Sequence, residues 1–172
     1  MRAVLDACVL YPTILRELLT DPALSTLYTP LWTPRLREEW LRAADRNGLS
    51  AGAEAALLAR HLPPVADPQA VPGADLPDPA DLHVLATAIE QGAPLIVTLN
   101  LRDFPRHVLA PLGIRALHPD AFLQDLFRDA PDAVADAARA THARARTAGG
   151  DLDLRALLKR AGLPRLARAL SQ

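Results

Sequence analysis

The chain reads as an α/β protein whose strands run parallel and are covered on both faces. Two observations predict this. Short apolar runs ("RAVL", "PLIVT", "GIRAL") alternate with longer segments of helical apolar spacing, the rhythm of strand–helix–strand units. Ala and Leu dominate the apolar half of the composition while aromatics make up only 4%, which favours helices around a small sheet.

The elements follow in order. "RAVLD" is a buried strand ending in Asp6. "LYPTILRELLT" carries apolar residues at Leu10, Ile14, Leu15, Leu18 and Leu19, a helical spacing, with Pro12 suited to its first turn. "LYTPLW" is a short extended piece. "TPRLREEWLRAADRNG" is a helix with Thr33 as N-cap, Pro34 at the first position and Gly48 beyond its end. Ser50 starts another helix, which Pro63 and Pro64 stop. The Pro-, Asp- and Gly-rich stretch 65–81 is a loop. Asp78 caps the next helix, with Pro79 at its first position and Gly92 at its end. "PLIVTLN" is the second clear strand; "GIRALHP", after a short helix around Val108, is a third; "DAFLQDLFRDA" is helical. Residues 129–172 read as two or three Ala/Arg/Leu helices, broken at Gly149-Gly150 and at Gly162-Leu163-Pro164. The expected organisation is a domain over 1–127 and a helical extension over 128–172.

Net charge is −1, which by itself indicates no nucleic-acid partner, but its distribution is uneven. Residues 1–127 carry 10 Arg and 15 acids; residues 128–172 carry 9 Arg or Lys and 5 acids. The basic tail either meets a polyanion or acidic partner or simply solvates helix faces. One cysteine, Cys8, excludes an internal disulfide and fits a reducing compartment. No apolar run is long enough to span a membrane, and Asp6 interrupts the only apolar run near the N-terminus. A cytoplasmic protein without a signal peptide is expected.

In an open parallel sheet, ligands bind outside the carboxyl ends of the strands. Asp6 ends the first strand and Asp103 follows the "PLIVT" strand, so both reach one sheet edge if those strands are neighbours. Asp81 starts the helix before that strand, and Glu39 lies on the helix "RLREEW". Carboxylates converging without cations repel one another, and Mg²⁺ or Mn²⁺ is the usual remedy. Each acid also has a structural alternative. Asp6 can bond the following turn, Glu39 can be a surface acid, Asp81 can complement a helix dipole, and Asp103 can form an Asx turn. His83, two residues from Asp81, either packs or touches substrate. Arg102, Arg106 and Arg16 either contact phosphate or are simple surface cations.

The segments "VLDACVL", "TPRLREEW" and "DPADLHVLATAIEQGAPLIVTLNLRDF", in that order, resemble a PIN domain, the nuclease fold of VapC-type toxins, in the subgroup with a C-terminal helical extension. The resemblance covers residues 1 to about 125. It implies a three-layer α/β/α sandwich with a mainly parallel central sheet and Mg²⁺- or Mn²⁺-dependent endoribonuclease activity. Its catalytic set would be Asp6, Glu39, Asp81 and Asp103, with Asp6, Asp81 and Asp103 holding metal. Thr98 would orient Asp6 and Asn100 would support the site; the candidate substrate contacts beside this set are Arg102 and His83, as read from their positions. It also implies an RNA substrate, a cognate antitoxin that binds DNA, and a homodimer. Two positions depart from the family pattern. Cys8 stands where the first motif usually has Asn, and is expected to pack rather than coordinate. Asn100 stands where many members have Asp, which lowers the negative charge of the site.

Other chemistries lack their motifs. There is no G-x-G-x-x-G, P-loop or G-x-S-x-G. A dehalogenase-type phosphatase needs a second Asp two positions after the first, where Cys8 stands. A scaffold or RNA-binding module without catalysis, and a nuclease acting on DNA, remain the alternatives.

Overall fold

The computed structural model describes residues 1–70 and 73–171. Val71 and Pro72, in the expected 65–81 loop, and Gln172 lie outside the described residues. Among the described residues the sheet has four strands: β1 (Arg2–Leu5), β2 (Thr29–Leu31), β3 (Leu95–Val97) and β4 (Arg115–Leu117). Their order is β2-β1-β3-β4 and every pairing is parallel. The fold is an α/β/α sandwich, as expected. Ala3, Val4 and Leu5 of β1 and Ile96 and Val97 of β3 are wholly buried. That is the signature of strands covered on both faces.

The order sets the site. From β1 the chain crosses outward to β2, and from β3 it crosses to β4 on the opposite side. The winding therefore reverses between β1 and β3, which pair as Val4↔Ile96 and Leu5↔Val97. Such a reversal opens a crevice beyond the carboxyl ends of the two strands. Asp6 and Thr98 follow directly on those ends, and the Asp6 amide donates to the Val97 carbonyl at 3.1 Å.

The helices around the sheet are α1 (Ala7–Leu10), α2 (Thr13–Leu19), α3 (Pro34–Arg46), α4 (Gly52–His61), α5 (Leu82–Glu90), α6 (Arg106–Leu109) and α7 (Pro119–Asp129). The expected cap of α3 is present: Thr33 Oγ1 accepts from the Leu36 amide at 3.3 Å, with Pro34 first in the helix. Gly48, past its end, takes φ +68°, the left-handed conformation that suits glycine. Three local expectations are corrected. Pro12 splits the first helical stretch in two, because it has no amide to continue α1 and instead precedes α2. Ser50 caps nothing; Ala51 precedes α4 and offers no side-chain acceptor. The "PLIVTLN" strand is shorter than its apolar run: pairing stops at Val97, and Leu99 and Asn100 are exposed.

Arg16 is not a surface cation. It is 5% exposed, donates to the Leu10 carbonyl at 2.7 Å, and lies 4.5 Å over the Trp40 ring. Desolvation lowers its pKa, yet guanidinium stays charged and the aromatic face and carbonyls compensate its burial. Arg16 thus ties α2 to α3, the helix that carries Glu39.

Beyond α7 lie α8 (Pro131–Thr147), α9 (Leu154–Arg160) and α10 (Pro164–Ala169), with breaks where the glycines predict them. Val134, Leu158 and Leu166 belong to the same apolar cluster as β1. Arg144 on α8 reaches back to α2 and the turn after it, donating to Glu17 at 2.7 Å and Asp21 at 3.1 Å. Buried Asp120 accepts from the amides of Arg165 and Leu166, both at 3.0 Å, and so holds the start of α10 on α7.

Candidate active site

Asp6 anchors the crevice. It is 6% exposed, and its Oδ2 accepts from Thr98 Oγ1 at 2.7 Å and from Cys8 Sγ at 3.1 Å. Its side chain does not cap α1, so the alternative of a local turn bond is not realised. Thr98 Oγ1 in turn accepts from the Asn100 amide at 3.0 Å. The end of β1 and the loop after β3 are therefore stitched together through one carboxylate oxygen and one hydroxyl.

Cys8 does more than pack. Besides donating to Asp6, its sulfur lies 3.3 Å from Thr98 Oγ1 and accepts from the Leu99 amide at 3.1 Å. Burial, with the Asp6 charge adding to it, pushes the thiol pKa up to about 12. A protonated thiol is a donor; a thiolate would add charge beside Asp6. Because the nucleophilic form is the thiolate, Cys8 of the native protein is expected to resist iodoacetamide at pH 8. The urea-unfolded chain should react fully, as mass spectrometry would count; rapid labelling of the native protein would show that the thiol is not held in this way.

Asp81 is the most perturbed acid of the cluster. It lies at the end of a 3₁₀ turn, Pro79–Asp81, just before α5. The cap of that turn is Asp78, whose Oδ1 accepts from the Ala80 amide at 2.8 Å, while Asp81 makes no capping bond. Its carboxyl pKa is raised to about 7, first by burial and then by the charges of Asp6, Asp103, Asp78 and Glu39. All four expected acids thus share one electrostatic environment, with Asp78 as a fifth that the sequence offered only as a cap.

Asp103 ends a 3₁₀ turn at Leu101–Asp103 and is partly exposed; among the described residues its carboxylate accepts no hydrogen bond. Arg102, Arg106 and Asn100 beside it are exposed. Glu39 projects from α3 with Oε1 2.9 Å from His83 Nε2 and 3.7 Å from Arg35 Nε. His83 is 2% exposed and both ring nitrogens are shut off from solvent, so the expected direct contact with substrate is not available to it. Its helical position turns it inward toward α3.

The donor set suits Mg²⁺ or Mn²⁺: hard carboxylate oxygens, one of which burial and the neighbouring charges together hold protonated near neutrality. Asp6, Asp81 and Asp103 are the residues that would hold the ion. As the side chains lie, no three Asp, Glu, His or Cys groups among the described residues stand at joint coordination spacing.

These features define a small parallel α/β domain with acids gathered at the reversal of the sheet. The profile of the PIN domain family matches residues 2–102, more than half of the chain, and the chain belongs to that family. Over 57 residues the chain is 51% identical to "Putative ribonuclease VapC50" of Mycobacterium tuberculosis (strain ATCC 25618 / H37Rv). That stretch is 31% of this chain and 34% of the relative, so the match spans about a third of the relative's length. No solved structure matches significantly.

Proposed function

We propose that the protein is a metal-dependent endoribonuclease, the toxin of a type II toxin–antitoxin pair. The observation that carries this reading is the gathering of acids beyond the ends of β1 and β3, where burial and the charges of Asp6, Asp103, Asp78 and Glu39 raise the half-buried Asp81 carboxyl. An unneutralised charge cluster of this kind at a sheet switch point is costly unless it serves a cation. The identity to a relative named as a ribonuclease directs the reading to RNA.

In this reading Asp6, fixed through Oδ2 by Thr98 and Cys8, would help to hold the cation. Asp81 and Asp103 complete the acidic set, and Asn100 supports the loop that bears Asp103. Glu39 orients or deprotonates the attacking water. Bound Mg²⁺ or Mn²⁺ supplies Lewis-acid polarisation of the scissile phosphate. Arg102 and Arg106, both exposed, approach the RNA backbone. The nuclease unit is residues 1–127, with 128–172 its helical extension. The partner is a DNA-binding antitoxin encoded nearby that lays a segment across the acids and supplies Arg; a homodimer and a cytoplasmic setting accompany this role.

The wide spacing of the carboxylates favours a second reading, a catalytically weak scaffold or RNA-binding module. One assay separates the two. The purified protein is expected to cut a pooled RNA substrate with Mg²⁺ or Mn²⁺, to stop with EDTA, and to recover when the ion is restored. Cleavage of single-stranded DNA but not RNA would make it a DNA nuclease; no cleavage with either ion would favour the scaffold.

A further inference from the structure

A buried histidine with no aligned hydrogen bond is an unusual thing to find beside an active site. Both His83 ring nitrogens are closed off from water, and neither makes an aligned hydrogen bond. Leaving such a group unsatisfied costs stability, so its retention asks for a reason. Its one polar neighbour among the described ion pairs is Glu39, whose Oε1 is 2.9 Å from Nε2, within bonding distance although the ring N–H is not aimed along the line between them. The same oxygen is contested. Arg35, one helical turn earlier on α3 and largely exposed, draws it along the helix surface at 3.7 Å. One carboxylate oxygen thus lies between a surface cation on its own helix and a buried ring on α5. Only the contact with His83 holds it toward α5, the helix that begins beside Asp81.

We propose that His83 is a positioning residue for Glu39. It donates from Nε2 once the carboxylate turns slightly, holding Glu39 toward α5 against the pull of Arg35 on the same oxygen. The proposal rests on the nuclease reading above, in which Glu39 handles the water. His83 touches no substrate. Being fixed inside the core, it gives α3 and α5 a common reference, which the ion pair with Arg35 cannot give because both of its partners lie on α3.

His83→Phe keeps the ring volume and removes the donor; His83→Gln keeps an amide donor near the Nε2 position. The Phe variant is expected to lower kcat at least tenfold with KM changed less than twofold, and the Gln variant to recover most of that loss. Combining His83→Phe with Glu39→Gln is expected to cost no more than Glu39→Gln alone, since the two act as one unit. In the metal-free protein, Glu39→Gln is expected to move the His83 ring ¹⁵N resonances further than Arg35→Ala does. This readout needs no activity and holds even if a His83 variant fails to fold. Unmoved His83 resonances on Glu39→Gln, or wild-type kcat in a folded His83→Phe variant whose Glu39→Gln counterpart is inactive, would overturn the proposal. Full activity of Glu39→Gln itself would instead overturn the role given to Glu39.

Discussion

Asp6→Asn is expected to slow RNA cleavage by at least about 100-fold, the order of loss seen when one precisely placed electrostatic group is removed from an active site. Its melting temperature should stay close to that of the wild type. The reason lies in the geometry of one oxygen. Thr98 and Cys8 both donate to Asp6 Oδ2, and an amide oxygen in its place accepts the same two bonds. The backbone bond from the Asp6 amide to Val97 is untouched. What disappears is the negative charge. That charge is also the neighbouring charge that raises the Asp81 pKa most, so the variant should show a second effect: the Asp81 carboxyl titrates below about 7. A ¹³C carboxyl titration follows this directly in metal-free protein. Wild-type cleavage by the folded variant would remove Asp6 from the mechanism. An unchanged Asp81 titration would show that the two carboxylates do not share an environment.

The contrast between Asp6 and His83 shows what a sequence of this kind makes legible. Strand ends are readable because a short apolar run stopped by an acid marks both the strand and the edge it faces. Asp6 is readable that way and Asp103 only as lying beyond its strand; that the two share an edge depends on the pairing of β1 with β3, which the structure supplies. Thr33 and Asp78 were readable as caps because capping depends on residues only two or three positions away. Contacts across the fold were not. Spacing showed that His83 and Asp81 face different ways on their helix, but not that α3 lay behind His83. Arg16 looked like any helix-surface cation until Trp40, 24 positions later, supplied the ring beneath it. Cys8 looked like filler because sulfur is a weak hydrogen-bonding group. Its use depends on three atoms around residues 6, 98 and 99 that only the tertiary structure assembles. The Ser50 cap failed for the opposite reason: the local pattern was right by type, and the helix began two residues later.

Asp81→Asn is expected to inactivate the protein and, in the absence of metal, to stabilise it above neutral pH. An unperturbed aspartate loses its proton near pH 3.9. In the folded protein Asp81 keeps it to about 7, because burial and four carboxylates oppose its charge. Below about pH 4 both states hold the proton, and the group is neutral toward folding. Between about 4 and 7 the native state binds more protons than the unfolded one, so wild-type stability falls as pH rises, and above 7 the full penalty stands. Asp81 is partly exposed, so water screens much of the effect, and about 1–2 kcal/mol is the expected size. The Asn variant has no charge to suppress. It should therefore match the wild type near pH 4 and melt a few degrees higher at pH 8, as calorimetry of EDTA-treated protein would show. Mg²⁺ or Mn²⁺ should reverse the order at pH 8. A cation that binds only the native state stabilises the wild type by mass action and offsets the same repulsion, while the Asn variant, one carboxylate short, gains less. A wild-type-minus-variant difference that stays flat from pH 4 to 8 would mean that Asp81 is not held protonated. A thermal response to cation equal in both proteins would place the ion elsewhere. The two measurements fail independently, so the electrostatic account of the cluster and its assignment as a metal site can each be lost without the other.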